Sequence, residues 1–216
     1  MIIREGKMAA QKETNVVISA PNIKTAEFRI VGTSPYVQLK FSEKAKQGMM
    51  EKHQQGSQSK KGAKKNARDF TEDYKQAMHL SSEGWHGMPA SAFRNAMISA
   101  CRLVGFKMTQ AKLAVFVVGD GVDDTEGTPL IKIQGKPEQV IHHVRNATGV
   151  CDLRVRAMWR EWSAILRVQF DHDMFSVEDV TNLLMRVGMQ VGIGEGRPDG
   201  KSSAGMGWGL FRIEGK

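Results

Sequence analysis

A chain of 216 residues with 41% apolar and 25% charged side chains carries enough apolar material for a folded core, which excludes wholesale disorder. It has no apolar run of the roughly 18 residues a membrane helix needs, and Met1 to Lys7 lack the apolar stretch of a secretory signal. A cytoplasmic protein with no membrane partner is therefore expected. The net charge of +8 gathers between Lys44 and Arg68, where eight basic residues meet one acid, Glu51.

In chain order, residues 26–31 and 36–41 alternate apolar with polar side chains and read as strands with one wet face, separated by Gly32-Thr33-Ser34-Pro35. Residues 42–82 then form a polar, basic insertion. Its centre, from Gln54 to Lys65, has too little apolar surface to order itself, and the arm from about Lys46 to Lys65 is expected to order on a polyanion. Each phosphate that such an arm neutralises releases a counterion; a solvated loop that touches nothing has the same composition.

Pro89 and Ser91 open a helix whose Phe93, Met97, Ala100, Cys101 and Val104 share a stripe and which Gly105 ends; Arg94 and Asn95 point away from that stripe. A strand over 113–118, an acidic loop over 119–127 and short strands over 130–133 and 140–144 follow. Residues 152–160 and 164–170 read as a hairpin about Glu161-Trp162. Arg154, Arg156, Arg160 and Arg167 take its outer face, either as a basic surface or as an ordinary solvated one. Ser176 caps a second helix, with Asp179 in the capping-box position and Val180, Leu183, Leu184, Val187 and Val191 as its dry stripe.

Cys101 and Cys151 lack metal-ligand spacing and are expected to be buried free thiols. Adjacent His142 and His143 face opposite ways on a strand, and Asp171-His172-Asp173 reads as turn chemistry. The acids at 120, 123, 124 and 126 lack EF-hand spacing and read as a solvated turn. No metal, cofactor or catalytic residue is assigned.

Before a final strand at 210–213 comes a run with seven glycines in the eighteen residues 192–209, and with Arg197 and Lys201 among them. Backbone without Cβ atoms approaches a ligand closely, and two cations beside amides suit an anion such as phosphate; the plainer alternative is a flexible connection. Gly200-Lys201-Ser202 is not a P-loop. The first glycine of that pattern would stand at Glu195, and the run follows a helix and opens a strand, the reverse of what a P-loop requires.

Strand, cationic insertion, helix, strands, hairpin, helix, glycine loop, strand is the order of an α+β, ferredoxin-like (RRM-like) β-α-β-β-α-β core with extra strands. One domain over 1–216 is expected, with the arm at 42–82 inserted after the first strand. Residues 28–35 (Phe-Arg-Ile-Val-Gly-Thr-Ser-Pro), 88–97 (Met-Pro-Ala-Ser-Ala-Phe-Arg-Asn-Ala-Met) and 192–209 resemble three features of the RAMP superfamily. These are its first strand, the start of its first helix and its C-terminal glycine-rich loop. RAMP proteins are RRM-like and form the RNA-coating backbone of CRISPR effector complexes; the resemblance, which is to the Cas7-like members, spans about 24–213.

The resemblance implies that Ser91, Arg94, Asn95, Arg197 and Lys201 lie near a single-stranded nucleic acid, RNA favoured over DNA. It implies that the lysines from Lys44 to Lys65 form a clasping arm, and that the protein self-associates or joins related subunits. Arm residues Lys46, Lys52, Lys60, Lys61, Lys64, Lys65 and Arg68, loop residues Gly194, Gly196 and Gly207, and Arg154 and Arg156 complete the candidate contacts. The chain is short for a backbone subunit, which points to a minimal or virus-borne relative, in the host cytoplasm if viral. The alternatives are a RAMP-type endoribonuclease and a single-stranded-DNA-binding or CRISPR-interfering viral homologue. For the ribonuclease, His79, His86, Asp69 and Asp73 are candidates without an identifiable partner.

Overall fold

The computed structural model describes residues 18–55, 67–145, 149–200 and 205–215. The first half contains β1 (Ile23–Gly32), β2 (Tyr36–Gln38), α1 (Glu43–Gln55), α2 (Phe70–Gln76), β3 (His79–Leu80), β4 (His86–Pro89) and α3 (Ala90–Ala100). Then come α4 (Met108–Ala114), β5 (Val115–Val118), β6 (Gly121–Val122), β7 (Pro129–Gln134), β8 (Pro137–Arg145), β9 (Cys151–Trp159), β10 (Ser163–Asp171), α5 (Val177–Arg186) and β11 (Phe211–Ile213). A 3-10 turn (Cys101–Val104) extends α3, and a π turn (Val187–Val191) extends α5. No described helix is long and apolar enough to cross a membrane.

The protein is α+β, with antiparallel sheets. The larger sheet runs β11–β1–β10–β7–β4–β3, with β5 also pairing with β10 and β6 with β7. β1 pairs with β10 from Ile23↔Asp171 to Val31↔Ser163, while β5 takes the other edge of β10 at Phe170↔Val115. Alternation decides which face is dry. Phe28 and Ile30 of β1 and Ala164, Leu166, Val168 and Phe170 of β10 are buried, whereas Glu27 and Arg29 face solvent. Phe93 and Met97 of α3 and Val180, Leu183 and Leu184 of α5 join the same core, where each large side chain contributes about 1.5–3 kcal/mol. The Phe93 and Phe211 rings meet edge to face at 6.1 Å and so tie α3 to β11.

The smaller sheet is β2–β9–β8. Residues 152–160 and 164–170 do form strands, but not with each other: β9 pairs with β2 and β8, and β10 with β1, β5 and β7. Alternation fixes the faces of a strand and leaves its neighbour open. The chain changes sheets between Trp159 and Ser163, beside a second crossing between Gly32 and Tyr36. There the Gly32 amide donates to Trp162 O at 2.8 Å, and Trp162 Nε1 donates to Ser34 O at 2.8 Å. The Tyr36 ring sits 5.5 Å from Trp159 and 5.7 Å from Trp162.

Other expectations need correction. Residues 108–114 coil into α4, so the strand expected from Leu113 starts at Val115. The strand expected over 36–41 stops at Gln38, with all three residues buried, and Leu39 and Phe41 are exposed. Within the arm, residues 43–55 form α1, with Glu43 in its first turn and Lys52 in its last, the placement that a helix dipole favours. Lys60, Lys61, Lys64 and Lys65 lie outside the described residues. Cys101 is buried as expected, Cys151 is exposed, and both are free thiols. At α5 the expected capping box is present: Ser176 Oγ accepts from the Asp179 amide at 3.0 Å, and the Ser176 amide donates to Asp179 Oδ2 at 2.9 Å.

Candidate nucleic-acid interface

α3 buries Phe93 and Met97, which turns Ser91 and Asn95 to solvent. The π turn delivers the glycine loop against that outer face. Between them lies a cavity of about 190 Å³, lined by Ala92, Asn95 and Ser99 of α3 and by Gly194, Arg197 and Asp199 of the loop. An adjoining hollow of about 340 Å³ shares Ala92, Gly194 and Arg197 and continues past Tyr36, Gln38 and His79. Two segments about a hundred residues apart thus border one groove.

The loop is less open than its composition suggests. The amides of Gly192, Ile193, Glu195 and Gly209 donate to Val187 O, Gly209 O, Val37 O and Pro35 O at 2.8–3.1 Å. The amides of Gly194, Gly196 and Gly207 donate to no backbone carbonyl among the described residues. Gly194 has φ +75°, and a Cβ there would stand 2.6 Å from both the Tyr36 ring and Val37 O. At Gly196 a Cβ would fall 2.3 Å from the Trp208 ring. These two glycines let the loop pack on its own protein. Of the three named from sequence, Gly207 is the one whose Cβ would meet no atom of the described residues within 4 Å.

Arg197 donates from Nε to Asp199 O and from Nη1 to Gly194 O, both at 3.0 Å, so it also braces the loop. Asp199 accepts from Ser99 Oγ at 2.7 Å and from Arg102 Nη2 at 2.6 Å. The Ser99 hydroxyl and then the Arg102 guanidinium hold its carboxyl below the usual carboxylate range. Lys201 lies outside the described residues.

The arginines of β9 differ from a solvated row. Arg156 is 5% exposed and donates from Nη2 to Glu195 Oε1 at 2.6 Å, while Arg154 stands 3.8 Å from the same oxygen. The smaller sheet lies under the glycine loop at Arg156, so the loop covers that part of the face that alternation marks as outer, while Arg154 stays exposed. Beside them, the rings of His142 and Trp208 are 5.4 Å apart. Burial, and then the Arg156 charge, lower the His142 pKa. Sequence marks neither ring as a ligand contact; Trp208 stands in the glycine run as one aromatic among small residues.

Three named cations are engaged elsewhere. Arg94 donates from Nε to Val115 O at 3.0 Å and from Nη2 to Lys112 O, and lies 5.3 Å over the Phe116 ring, strapping α3 to α4 and β5. Arg68 pairs with Asp73 and donates to Leu153 O at 2.6 Å. Lys46 bonds Glu43 and Glu126. Lys52 is exposed on α1.

The acidic turn around β6 is exposed at Asp120, Asp124 and Glu126, as expected, but not at Asp123. Asp123 is buried, and its carboxylate accepts from Lys40 Nζ at 2.8 Å, Thr125 Oγ1 at 2.8 Å and the Glu126 amide at 2.9 Å. His79 Nδ1 lies 2.8 Å from its other oxygen. Burial pushes the Asp123 carboxyl up, but Lys40, Thr125, the Glu126 amide and His79 together pull it well below the ordinary carboxylate range. The side chains of His79, Asp123 and Glu126 place ligand atoms within 4.8 Å of one another, yet the ammonium groups of Lys40 and Lys46 already neutralise those carboxylates. His79 thus has the partner that sequence does not reveal, and the residue lines the groove. No protein-family model matches the chain, and no curated protein matches it in sequence.

Proposed function

We propose that this protein binds single-stranded nucleic acid, RNA in preference to DNA, along the groove between α3 and the glycine loop. The observation that carries the reading is the meeting of Ala92, Asn95 and Ser99 with Gly194 and Arg197 in that groove, from two segments about a hundred residues apart in the chain. Supporting it, the run β11–β1–β10–β5, with α3 and α5 in the connections, follows the strand order of a ferredoxin-like, RRM-like core. This favours a relative of the RAMP backbone proteins that works by self-association or with related subunits. Affinity comes chiefly from phosphate contacts, with the basic arm closing over the strand. Fluorescence anisotropy with end-labelled oligouridylate and oligothymidylate over a salt series tests the reading. Both should bind, RNA more tightly, with log K falling linearly in log salt. No affinity for either at low salt would overturn it.

A second reading, a metal-independent ribonuclease, is favoured by His79 alone. With Nδ1–H donated to Asp123, Nε2 would take the 2′-hydroxyl proton as that oxygen attacks phosphorus; the P–O5′ bond breaks and the departing 5′-oxygen takes a proton from water, giving a 2′,3′-cyclic phosphate and a free 5′-hydroxyl. Cleavage of labelled RNA that survives EDTA and is lost in His79→Ala would establish it; intact RNA after long incubation would dismiss it.

A further inference from the structure

We propose that the face of the smaller sheet bearing Arg154, Arg156 and His142 is a subsite for one nucleotide unit of the bound strand, and that the glycine loop fills it in the free protein. Glu195 stands where the phosphate goes and Trp208 where the base goes. The inference rests on the nucleic-acid reading above.

Arg154 and Arg156 are two apart on β9 and share a face, and His142 and Val140 lie directly opposite them on β8. This pattern of two guanidiniums next to a flat ring is suited to a phosphate with its attached base. In the free protein both halves are occupied from one piece of loop. The Glu195 carboxylate reaches Arg156 at 2.6 Å and Arg154 at 3.8 Å through a single oxygen. Trp208 lies over His142 with 42° between the rings, and the Trp208 amide bonds Gly196 O at 3.3 Å, so anion and ring are presented side by side.

The carboxylate fits this place imperfectly. Arg156 is more than nine-tenths buried, yet its Nε has no hydrogen-bond partner among the described residues, so only one arm of its fork is used there. A phosphate offers enough oxygens to take both Nε–H and Nη2–H in the bidentate geometry that guanidinium prefers, and leaves another for Arg154. The incoming strand therefore has a reason to displace Glu195, and apparent affinity is reduced by the fraction of time the loop is closed.

The experiment measures binding of labelled oligouridylate to wild type, Glu195→Gln, Trp208→Leu and the double variant Arg154→Ala/Glu195→Gln, each checked for its melting temperature. Glu195→Gln and Trp208→Leu should bind roughly five- to tenfold more tightly, and the double variant should lose that gain. Hydrogen exchange of the wild type supplies a readout that no variant can spoil. The amides of Glu195 and Trp208 should exchange faster with oligouridylate bound, while the α3 side of the groove is protected. If wild type binds but Glu195→Gln is no tighter and the two loop amides gain protection, the loop is a fixed wall and the inference is overturned while the function stands. If neither wild type nor any variant binds, the nucleic-acid reading falls and takes the subsite with it. Binding by the variants alone would support both.

Discussion

Gly194 and Gly207 share a left-handed φ of about +75° and +73°, and little else. A Cβ at 194 runs into Tyr36 and Val37, whereas one at 207 meets nothing within 4 Å among the described residues. Gly194→Val is expected to cost about 2–5 kcal/mol from strain and overlap together, lowering Tm by roughly 5–15 °C. Gly207→Ala should cost only about 1 kcal/mol, so a sharp loss of RNA affinity at nearly unchanged Tm would show a ligand pressed against that backbone. Thermal melts beside anisotropy separate the two effects. Asp123 is a different kind of residue, a buried charge held by Lys40, Thr125 and His79. Asp123→Asn should destabilise by about 3 kcal/mol because it leaves the Lys40 ammonium buried without its counter-charge. The folded-state pKa of Asp123 is depressed, so its contribution is complete above the ordinary value of about 4 and fades as pH falls below it. Melts from pH 3 to 7 should show wild type and variant converging at the acid end; a constant gap would mean the carboxylate is not the source.

At the scale of elements, local signals are the legible ones. The Ser176–Asp179 box, the α3 stripe from Phe93 to Cys101 (the expected last member, Val104, is exposed) and the inward sets of β1 and β10 can all be read because each depends on neighbours a few residues away. Pairing cannot, which is why β9 and β10 read as a hairpin although a sheet change separates them. The same limit hides the roles of charged side chains. Arg94 points away from the apolar stripe, as its position requires, but what it meets there is the backbone of α4 and β5. Arg94→Ala should therefore lower stability by about 1–3 kcal/mol, by freeing those carbonyls, and leave RNA affinity of the folded fraction unchanged. A large affinity loss without a shift in Tm would return Arg94 to the binding surface. The groove itself is half legible. Asn95, Gly194 and Arg197 stand out in the sequence and do come together, whereas Glu195, His142 and Trp208 need the smaller sheet to be placed beneath the loop.

For the whole molecule, the +8 charge is the property that acts at a distance. Several cations nearest the groove are already paired, so the long-range field must come largely from the arm. Replacing Lys60, Lys61, Lys64 and Lys65 by Ala should weaken binding about equally for unrelated sequences. The slope of log K against log salt should become shallower by roughly 0.7 for each phosphate that the arm no longer neutralises. An unchanged slope would make the arm a spectator.

The pairing of β1 with β10 has a consequence for how the protein is made. Glu27 and Arg167, bonded across that pair, are 140 residues apart in the chain. During synthesis at about 5–20 residues per second, β1 waits roughly 7–28 s on the ribosome before its main partner exists. Phe28 and Ile30 lack the Leu166, Val168 and Phe170 part of their core in that interval, and unpaired backbone edges of this kind invite pairing with the wrong strand. Yield in a foreign host should then depend on the pace of translation and on chaperones that shield the nascent β1, more than on the final stability of the fold.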